Sequence, residues 1–197
     1  MANDTAIAVF VGREQKFGIA TTEFRGTLNK LGYTNIEFIV DNTKTWYNQQ
    51  GIYQKLENQI NQFISKHKDS RVVFMGSSMG GFGSILYANK IERCSKVIAF
   101  SPQIDIDPKL TLPWDDRYIN NVKHINNLPF PTVSNLLRFD VQYDILYGNK
   151  EPRDKMHLDK LPQQSNVALR CIDGAGHNVP MFLRDNRQLD KVLQEVL

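Results

Sequence analysis

The sequence predicts an α/β fold, a three-layer sandwich in which helices cover both faces of a mostly parallel six-stranded sheet. Short runs of apolar, β-branched and aromatic residues recur along the chain, as expected of buried strands. The segments between the early runs carry apolar residues at helical spacing. Because strands and helices alternate, successive strands should run parallel and be joined by helical crossovers.

The predicted strands differ in how strongly their sequences mark them. The first is a continuous apolar run, AIAVFV, and the third, RVVFM, is uncharged after its first residue. Both are typical of strands that are buried on two faces. The six predicted strands cover residues 6–11, 36–41, 71–75, 96–100, 143–148 and 167–172.

Helices are predicted between the early strands and at the end of the chain. An amphipathic stretch at about 22–31 closes with a glycine, a common helix end. An apolar stripe between Ile52 and Ile64 predicts a second helix, which ends in the basic triplet Lys-His-Lys that the helix dipole favours. A third helix should begin directly after Ser78, and a last helix is predicted near 181–196.

One long segment interrupts this alternation. About forty residues separate the fourth and fifth predicted strands, whereas ordinary connections need only a few. Residues 102–142 are therefore predicted to form a lid-like excursion within a single domain that spans 1–197. Its aromatic side chains Trp114, Tyr118 and Phe130 either stack on a sugar or pack the lid itself.

Composition and charge exclude several classes of protein. Hydrophobic residues make up 41% and charged residues 23% of the chain, near the averages of globular proteins. The start of the chain has no basic leader and no run that could span a bilayer, so neither a signal peptide nor an anchor is expected. The chain is predicted to be cytoplasmic. The net charge of +3 is scattered rather than clustered, so a nucleic-acid partner is not expected.

The cysteines give no sign of a disulfide or a metal site. The chain has two cysteines, Cys94 and Cys171, without CxxC or Cys/His metal-ligand spacing. We expect both to be small buried hydrophobic residues rather than a disulfide or metal ligands.

The stretch FMGSSMGG, residues 74–81, lies where the third strand meets the following helix. It fits the pattern G-x-S-x-G only with Ser78 at the centre, so Ser77 is a spacer. Flanking glycines permit the tight strand-to-helix turn, whose strain keeps the serine hydroxyl exposed. N–H groups at the helix start, that of Met79 foremost, would face an oxygen that becomes negative during acyl transfer.

A serine hydroxyl needs a base within hydrogen-bond reach to act as a nucleophile. Among four histidines, His177 lies in the loop DGAGHNV, five residues beyond the sixth strand, where small residues let the loop fold back towards the serine. Histidine can accept the serine proton and return it to a leaving group. We interpret His67, His124 and His157 as solvated or packing residues.

The base needs an orienting carboxylate, and the order serine, acid, histidine places it before His177. The loop YGNKEPRD after the fifth strand offers Glu151 and Asp154. Glu151 stands directly after the strand, but Pro152 biases it towards an extended backbone. Asp154 is the commoner acid type, although it could also cap a helix at 155–161. We predict Asp154 as the carboxylate that orients His177, and Glu151 is the alternative.

The segments VVFMGSSMGGFGSILYA, YGNKEPRD and DGAGHN together resemble the α/β-hydrolase superfamily. The resemblance implies a trimmed form of that fold, with the excursion in the usual lid position. It also implies a second oxyanion donor in the loop VGRE, from the backbone of Gly12 or Arg13, although the usual histidine-glycine pair is absent there. The segment FSPQIDIDP and the run P-x-D-x-x-H resemble small bacterial hydrolases of surface-glycan assembly, which keep an aspartate at the position of Asp154.

Together these features predict a serine hydrolase that cleaves a carboxylic ester through an acyl-enzyme. Ser78 would attack, His177 would move the proton, Asp154 would orient it, and the backbone of Met79 and Arg13 would hold the oxyanion. No cofactor and no metal are implied, and the expected partner is a small-molecule or glycan ester. Two alternatives remain, an acyltransferase with the same triad and a non-catalytic binding module on a hydrolase scaffold.

Overall fold

A parallel sheet forms the centre of the molecule. The structure is a computed structural model that describes residues 4–12, 15–16, 19–20, 23–112, 114–122 and 128–197. Within these residues the strands are β1 (Thr5–Phe10), β2 (Gln15–Lys16), β3 (Ile19–Ala20), β4 (Ile36–Ile39), β5 (Arg71–Ser77), β6 (Cys94–Phe100), β7 (Gln142–Gly148) and β8 (Val167–Ile172).

Six of these strands pair in the order β4-β1-β5-β6-β7-β8, and every pairing is parallel. This confirms the predicted sheet. The remaining two, β2 and β3, form a separate antiparallel pair that was not predicted, because two residues are too few to show a strand pattern. β5 lies inside the sheet, with β1 and β6 on either side, so the corner that follows it has a strand on each flank.

Helices occupy the connections between the strands. They are α1 (Arg25–Lys30), α2 (Ile52–Lys66), α3 (Met79–Lys90), α4 (Pro108–Thr111), α5 (Ile119–Val122), α6 (Pro152–Leu158), α7 (Val179–Asp185) and α8 (Leu189–Val196). In its described residues the excursion contains two short helices, α4 and α5. Its ends meet through backbone hydrogen bonds of their own, Ile106 N–H to Pro131 O at 3.0 Å and Val133 N–H to Ile104 O at 2.9 Å.

Side chains alternate between two apolar cores, one on each face of the sheet. On β5, Phe74 belongs to the core shared with α2 and α3, whereas Val73 and Met75 belong to the core shared with α1, α7 and α8. This alternation is the period of two expected of a strand. It confirms the three-layer arrangement, since both faces of the sheet are covered.

The helix predicted near 181–196 is wrong in one respect, because two helices occupy this region. The chain turns at Arg187, whose φ is 57°. The N–H of Gln188 bonds to Leu183 O at 2.7 Å and that of Arg187 to Arg184 O at 3.0 Å, the two bonds of a Schellman motif. The apolar periodicity continues across this break, which is why the sequence pattern did not reveal it.

Both cysteines, which lie in the described part of the chain, are free thiols. Cys94 is buried as predicted, and burial raises the pKa of its thiol to about 12. The prediction is wrong for Cys171, which is exposed on the edge strand β8.

None of the helices in the described ranges has the length and apolar character needed to cross a membrane.

Candidate active site

Ser78 occupies a strained corner between β5 and α3. Its φ and ψ are 55° and −118°, a conformation rare for a residue with a side chain. A Cβ added at Gly80 would lie 2.0 Å from Phe10 O, and one at Gly76 would lie 2.4 Å from the backbone of Gly80. Both glycines are therefore required by close backbone approach. The Ser78 N–H donates to Phe100 O at 2.8 Å, which fixes the corner to β6.

The histidine loop brings His177 to this serine. Nε2 of His177 lies 2.9 Å from Ser78 Oγ. The loop folds back because Gly148, at the end of β7, lets it approach closely: a Cβ there would lie 2.2 Å from Ala175 O. The N–H of Lys150 donates to the same Ala175 carbonyl at 2.9 Å.

Asp154 lies on the other side of the imidazole, in the first turn of α6. Its Oδ1 and Oδ2 are each 2.9 Å from Nδ1 of His177, and the residue is only 1% exposed. With Nδ1–H donating to Asp154, Nε2 is left to accept the Ser78 hydroxyl proton. The three side chains thus form a hydrogen-bonded chain from hydroxyl to carboxylate.

In the described part of the chain Glu151 is not a hydrogen-bond partner of His177; it caps α6 instead. Its carboxylate accepts from the Arg153 N–H at 3.2 Å and pairs with the Arg153 side chain at 2.7 Å. The hydrogen bond from Arg153 lowers the pKa of Glu151. The expectation that Asp154 could cap a helix at 155–161 is wrong, because the helix begins at Pro152 and Glu151 is its cap.

A buried amide also contacts the serine. Gln103 follows β6 and is 1% exposed. The indole N–H of Trp46 donates to Gln103 Oε1 at 3.1 Å. Both ends of the amide lie close to Ser78 Oγ, with Nε2 at 3.2 Å and Oε1 at 3.3 Å. Gln103 can therefore donate to the serine oxygen or accept from it.

Tyr118 of the excursion approaches the same reacting atoms. Its hydroxyl lies 3.0 Å from Nε2 of His177. Burial, partly offset by Arg117 and by a hydrogen bond with Ser78, raises the pKa of Tyr118, so the phenol stays protonated at neutral pH and can donate. A small cavity begins beside this tyrosine and is lined by Trp46, Gln103, Asp105, Ile106, Thr111, Asp115, Tyr118, Ile119, Val122 and His157.

The backbone positions predicted to hold an oxyanion are that of Met79 and, in the loop after β1, that of Gly12 or Arg13. Met79 opens α3, and N–H groups in the first turn of a helix have no acceptor within that helix. Gly12 lies against the corner, since a Cβ there would be 3.3 Å from Ser77 O. Arg13 lies outside the described residues, as does His124.

Sequence reasoning missed three polar residues near this site, Gln103, Asp115 and Arg117. It also missed that His157 is buried. All except His157 belong to the irregular excursion, where no periodicity marks which side chains face inward. His157 was interpreted as solvated or packing and is 1% exposed in α6. Across the ranges that the structure describes, no cluster of three or more His, Cys, Asp or Glu side chains is arranged to hold a metal ion.

A parallel sheet with a G-x-S-x-G corner after an inner strand and a histidine loop after the last strand defines an α/β hydrolase. Residues 42–180 match the family described as serine aminopeptidase, S33. The match spans more than half of the chain, and the chain belongs to this family of hydrolases. No curated protein sequence matches the chain.

Solved structures show the same fold. A thermophilic esterase from the Planctomycetes species Thermogutta terrifontis has a TM-score of 0.65 at 14% identity, covering 97% of this chain and 79% of its own. The fluorophosphonate-binding serine hydrolase F of Staphylococcus aureus has a TM-score of 0.64 at 16% identity, with coverages of 98% and 83%. The capsule O-acetyltransferase of Neisseria meningitidis serogroup A has a TM-score of 0.60 at 14% identity, with coverages of 96% and 87%.

Proposed function

We propose that this protein is a serine esterase that cleaves a carboxylic ester through an acyl-enzyme, with Ser78, His177 and Asp154 as its triad. The observation that carries the proposal is the continuous hydrogen-bonded chain from Ser78 Oγ through both nitrogens of His177 to Asp154, each link 2.9 Å long. Such a chain activates a hydroxyl that is a poor nucleophile by itself.

In the first step, Ser78 Oγ bonds to the carbonyl carbon of the ester, and its proton passes to Nε2 of His177. The carbonyl oxygen becomes negative and is held by the Met79 N–H, with a second donor from the loop after β1. When the tetrahedral intermediate collapses, the bond between carbon and the alcohol oxygen breaks. The proton on Nε2 moves to that oxygen, so the alcohol leaves neutral and the acyl group stays on Ser78.

In the second step, water takes the place of the alcohol. Its oxygen bonds to the acyl carbon while Nε2 of His177 accepts a proton from it. Collapse then breaks the bond to Ser78 Oγ, which recovers its proton from Nε2. The product is a carboxylic acid. Asp154 keeps the imidazole in the required tautomer throughout and stabilises the imidazolium that forms in each step.

An arginine or a histidine pairs with each of Asp115, Glu151 and Asp154. Asp105, which is 7% exposed, also lines the cavity beside Tyr118, so the charges near the site do not by themselves separate an ester from a peptide. Support for an ester comes from the shared fold with the Thermogutta terrifontis esterase. p-Nitrophenyl acetate, a short and activated ester, is the assay substrate of choice.

The test compares two adjacent serines. Ser78→Ala should abolish labelling by a fluorophosphonate probe and lower kcat for p-nitrophenyl acetate by at least about 10⁴-fold, because the nucleophile is lost. Ser77→Ala, which removes the neighbouring hydroxyl from the same corner, should keep the label and most of the activity. Equal activity in the two variants, or a wild-type protein that neither labels nor hydrolyses esters, would overturn the assignment and favour a non-catalytic binding module.

Acyl transfer is the second candidate, supported by the shared fold with the capsule O-acetyltransferase and by the aromatic residues of the excursion. In that reaction a sugar hydroxyl would replace water in the second step and carry the acyl group away as a new ester. Product analysis separates the two functions. An acyl ester that accumulates when an acceptor sugar is added, at the expense of free carboxylic acid, indicates a transferase.

A further inference from the structure

The carboxylate of Asp154 has a second cationic partner besides the imidazole. Nη1 of Arg117, from the excursion, lies 2.9 Å from Asp154 Oδ1 and 3.5 Å from Nδ1 of His177. Asp154 is almost fully buried, and a buried carboxylate is costly unless it is paired and hydrogen-bonded. Arg117 supplies a permanent positive charge at this position, because a guanidinium does not lose its proton in proteins.

Arg117 is itself aimed by Asp115. Its Nε donates to Asp115 Oδ1 at 2.9 Å and its Nη2 to Oδ2 at 2.6 Å, a two-point contact that fixes the plane of the guanidinium. This contact leaves Nη1 directed at Asp154. Glu151 Oε2, 3.6 Å from the same Nη1, adds a further negative charge beside it.

His157 holds Asp115 from the other side. Its Nε2 lies 3.0 Å from Asp115 Oδ2, and its Nδ1 faces the Ile104 N–H at 3.2 Å. Because Nδ1 accepts that proton, Nε2 must carry the imidazole hydrogen and donate it to Asp115. Burial by itself would raise the pKa of Asp115, but hydrogen bonds from His157 and Arg117 lower it well below its usual range. Asp115 therefore stays ionised and keeps accepting both hydrogen bonds from Arg117.

We propose that Arg117 is a positioning residue of the triad, which fixes Asp154 against His177 and is itself aimed by the buried pair of Asp115 and His157. The inference rests on the proposed function. The chain of contacts runs from the peptide at Ile104 through these side chains to Ser78, and it links the excursion to the reacting atoms. Completing the triad geometry thus depends on the excursion being in place.

The charge of Arg117 also affects the proton on His177. The groups that face this imidazole are Ser78 on the corner, Asp154 on α6, and Arg117 and Tyr118 on the excursion. Arg117 places a positive charge beside both the carboxylate of Asp154 and the imidazole. Removing the charge of Arg117 leaves the charge of Asp154 uncompensated, so His177 should keep its proton to a higher pH. The acid limb of the rate profile, where the rate falls at low pH, should then move to higher pH.

The test measures kcat/KM for p-nitrophenyl acetate against pH. Arg117→Met should lower the plateau by about tenfold or more and move the acid limb up by about one pH unit, the effect of losing one positive charge close to the imidazolium. Arg117→Lys keeps the charge but not the two-point contact, so the plateau should fall while the limb stays in place. The matched control is Arg153→Met, which removes a nearby arginine that pairs with Glu151 and should leave the limb unmoved.

A second pair of variants tests the buried end of the chain. His157→Gln retains an N–H donor for Asp115 and should keep the wild-type plateau. His157→Leu lacks the donor but leaves the charge of Arg117 in place, so it should lower the plateau as Arg117→Lys does while the limb stays in place. Melting temperatures separate lost stability from lost positioning. A profile of Arg117→Met that merely scales down, in a folded protein that still labels with the fluorophosphonate, overturns this inference and leaves the proposed function intact. Absence of labelling in the wild type overturns the proposed function instead.

Discussion

The hydroxyl of Ser78 has several polar neighbours. Nε2 of His177 lies 2.9 Å from the serine oxygen, and Nε2 and Oε1 of Gln103 lie 3.2 and 3.3 Å from it. Trp46 holds the Gln103 amide in place by donating to Oε1. The hydroxyl is therefore surrounded by polar groups before any substrate arrives, and in the proposed reaction this limits the reorganisation that precedes attack.

Asp154 and Glu151 offer a paired prediction at the same scale. Asp154→Asn should lower kcat by about 10⁴-fold, because an amide does not hold the imidazole in the tautomer that activates the serine. Glu151→Gln keeps an oxygen to cap α6 and should cost only about 1 kcal/mol or less of stability. Turnover and urea unfolding of both variants are the measurements. A collapse of turnover in Glu151→Gln, with Asp154→Asn merely less stable, would reassign the acid to Glu151.

At the scale of elements, the strands and the corner were predictable because their signals are local. A buried strand such as β1 needs a continuous apolar run, and a tight turn with its backbone in close contact needs glycine; both requirements are visible in one short stretch. The excursion was not predictable in the same way. Arg117 and Asp115 meet Asp154 and His157 across about forty residues of chain, and no repeat or spacing encodes those contacts.

Two glycines near His177 test how the loop is positioned. Gly148→Ala should lower the free energy of unfolding by about 1–3 kcal/mol and reduce turnover, since its Cβ would displace the Ala175 carbonyl that leads to His177. Gly176→Ala, directly beside the histidine, has no atom within 4 Å of its new Cβ, and a change of less than about 0.5 kcal/mol is expected. Urea unfolding and kcat of both variants provide the comparison. Equal losses in the two would show that loop flexibility, rather than close approach, is what Gly148 provides.

For the whole molecule, the buried carboxylate of Asp115 predicts an acid-dependent contribution to stability. Its pKa is lowered in the fold, so it stabilises the protein at pH values above its unfolded pKa of about 4, and this contribution is lost as the pH falls towards the folded value. The free energy of unfolding of the wild type should therefore exceed that of Asp115→Asn most near neutral pH, and the gap should narrow below about pH 4.

The control for this prediction is Asp185→Asn. Asp185 forms an exposed pair with Arg184, and such pairs contribute about 0–1 kcal/mol at most. Its unfolding free energy should follow that of the wild type at every pH. A constant gap between wild type and Asp115→Asn down to pH 3 would contradict the assignment of a lowered pKa to Asp115.

The two thiols report on the integrity of the fold as a whole. A thiol reagent should label one cysteine of the native protein, the exposed Cys171 on β8, and both cysteines after denaturation. Cys94 is protected because it is buried and its raised pKa suppresses the reactive thiolate. Mass spectrometry of the labelled protein distinguishes the sites, and labelling of Cys94 under native conditions would show that the core around β6 opens readily.

The single-domain organisation of residues 1–197 stays a prediction.

The way the excursion is attached has a consequence for how the protein loses activity on heating. Its two ends are hydrogen-bonded to each other and their side chains, such as Ile104, Ile106 and Val133, are buried in the core. Arg117, between these ends, contacts the triad through its side chain. Such a side-chain contact opens at a lower free energy than an inner strand paired on both flanks, as β5 is. Warming should therefore release Arg117 from Asp154 while the sheet remains paired, so that catalysis stops in a molecule that is still folded. Activity should then be lost at a temperature below the melting temperature of the sheet, and cooling should restore it.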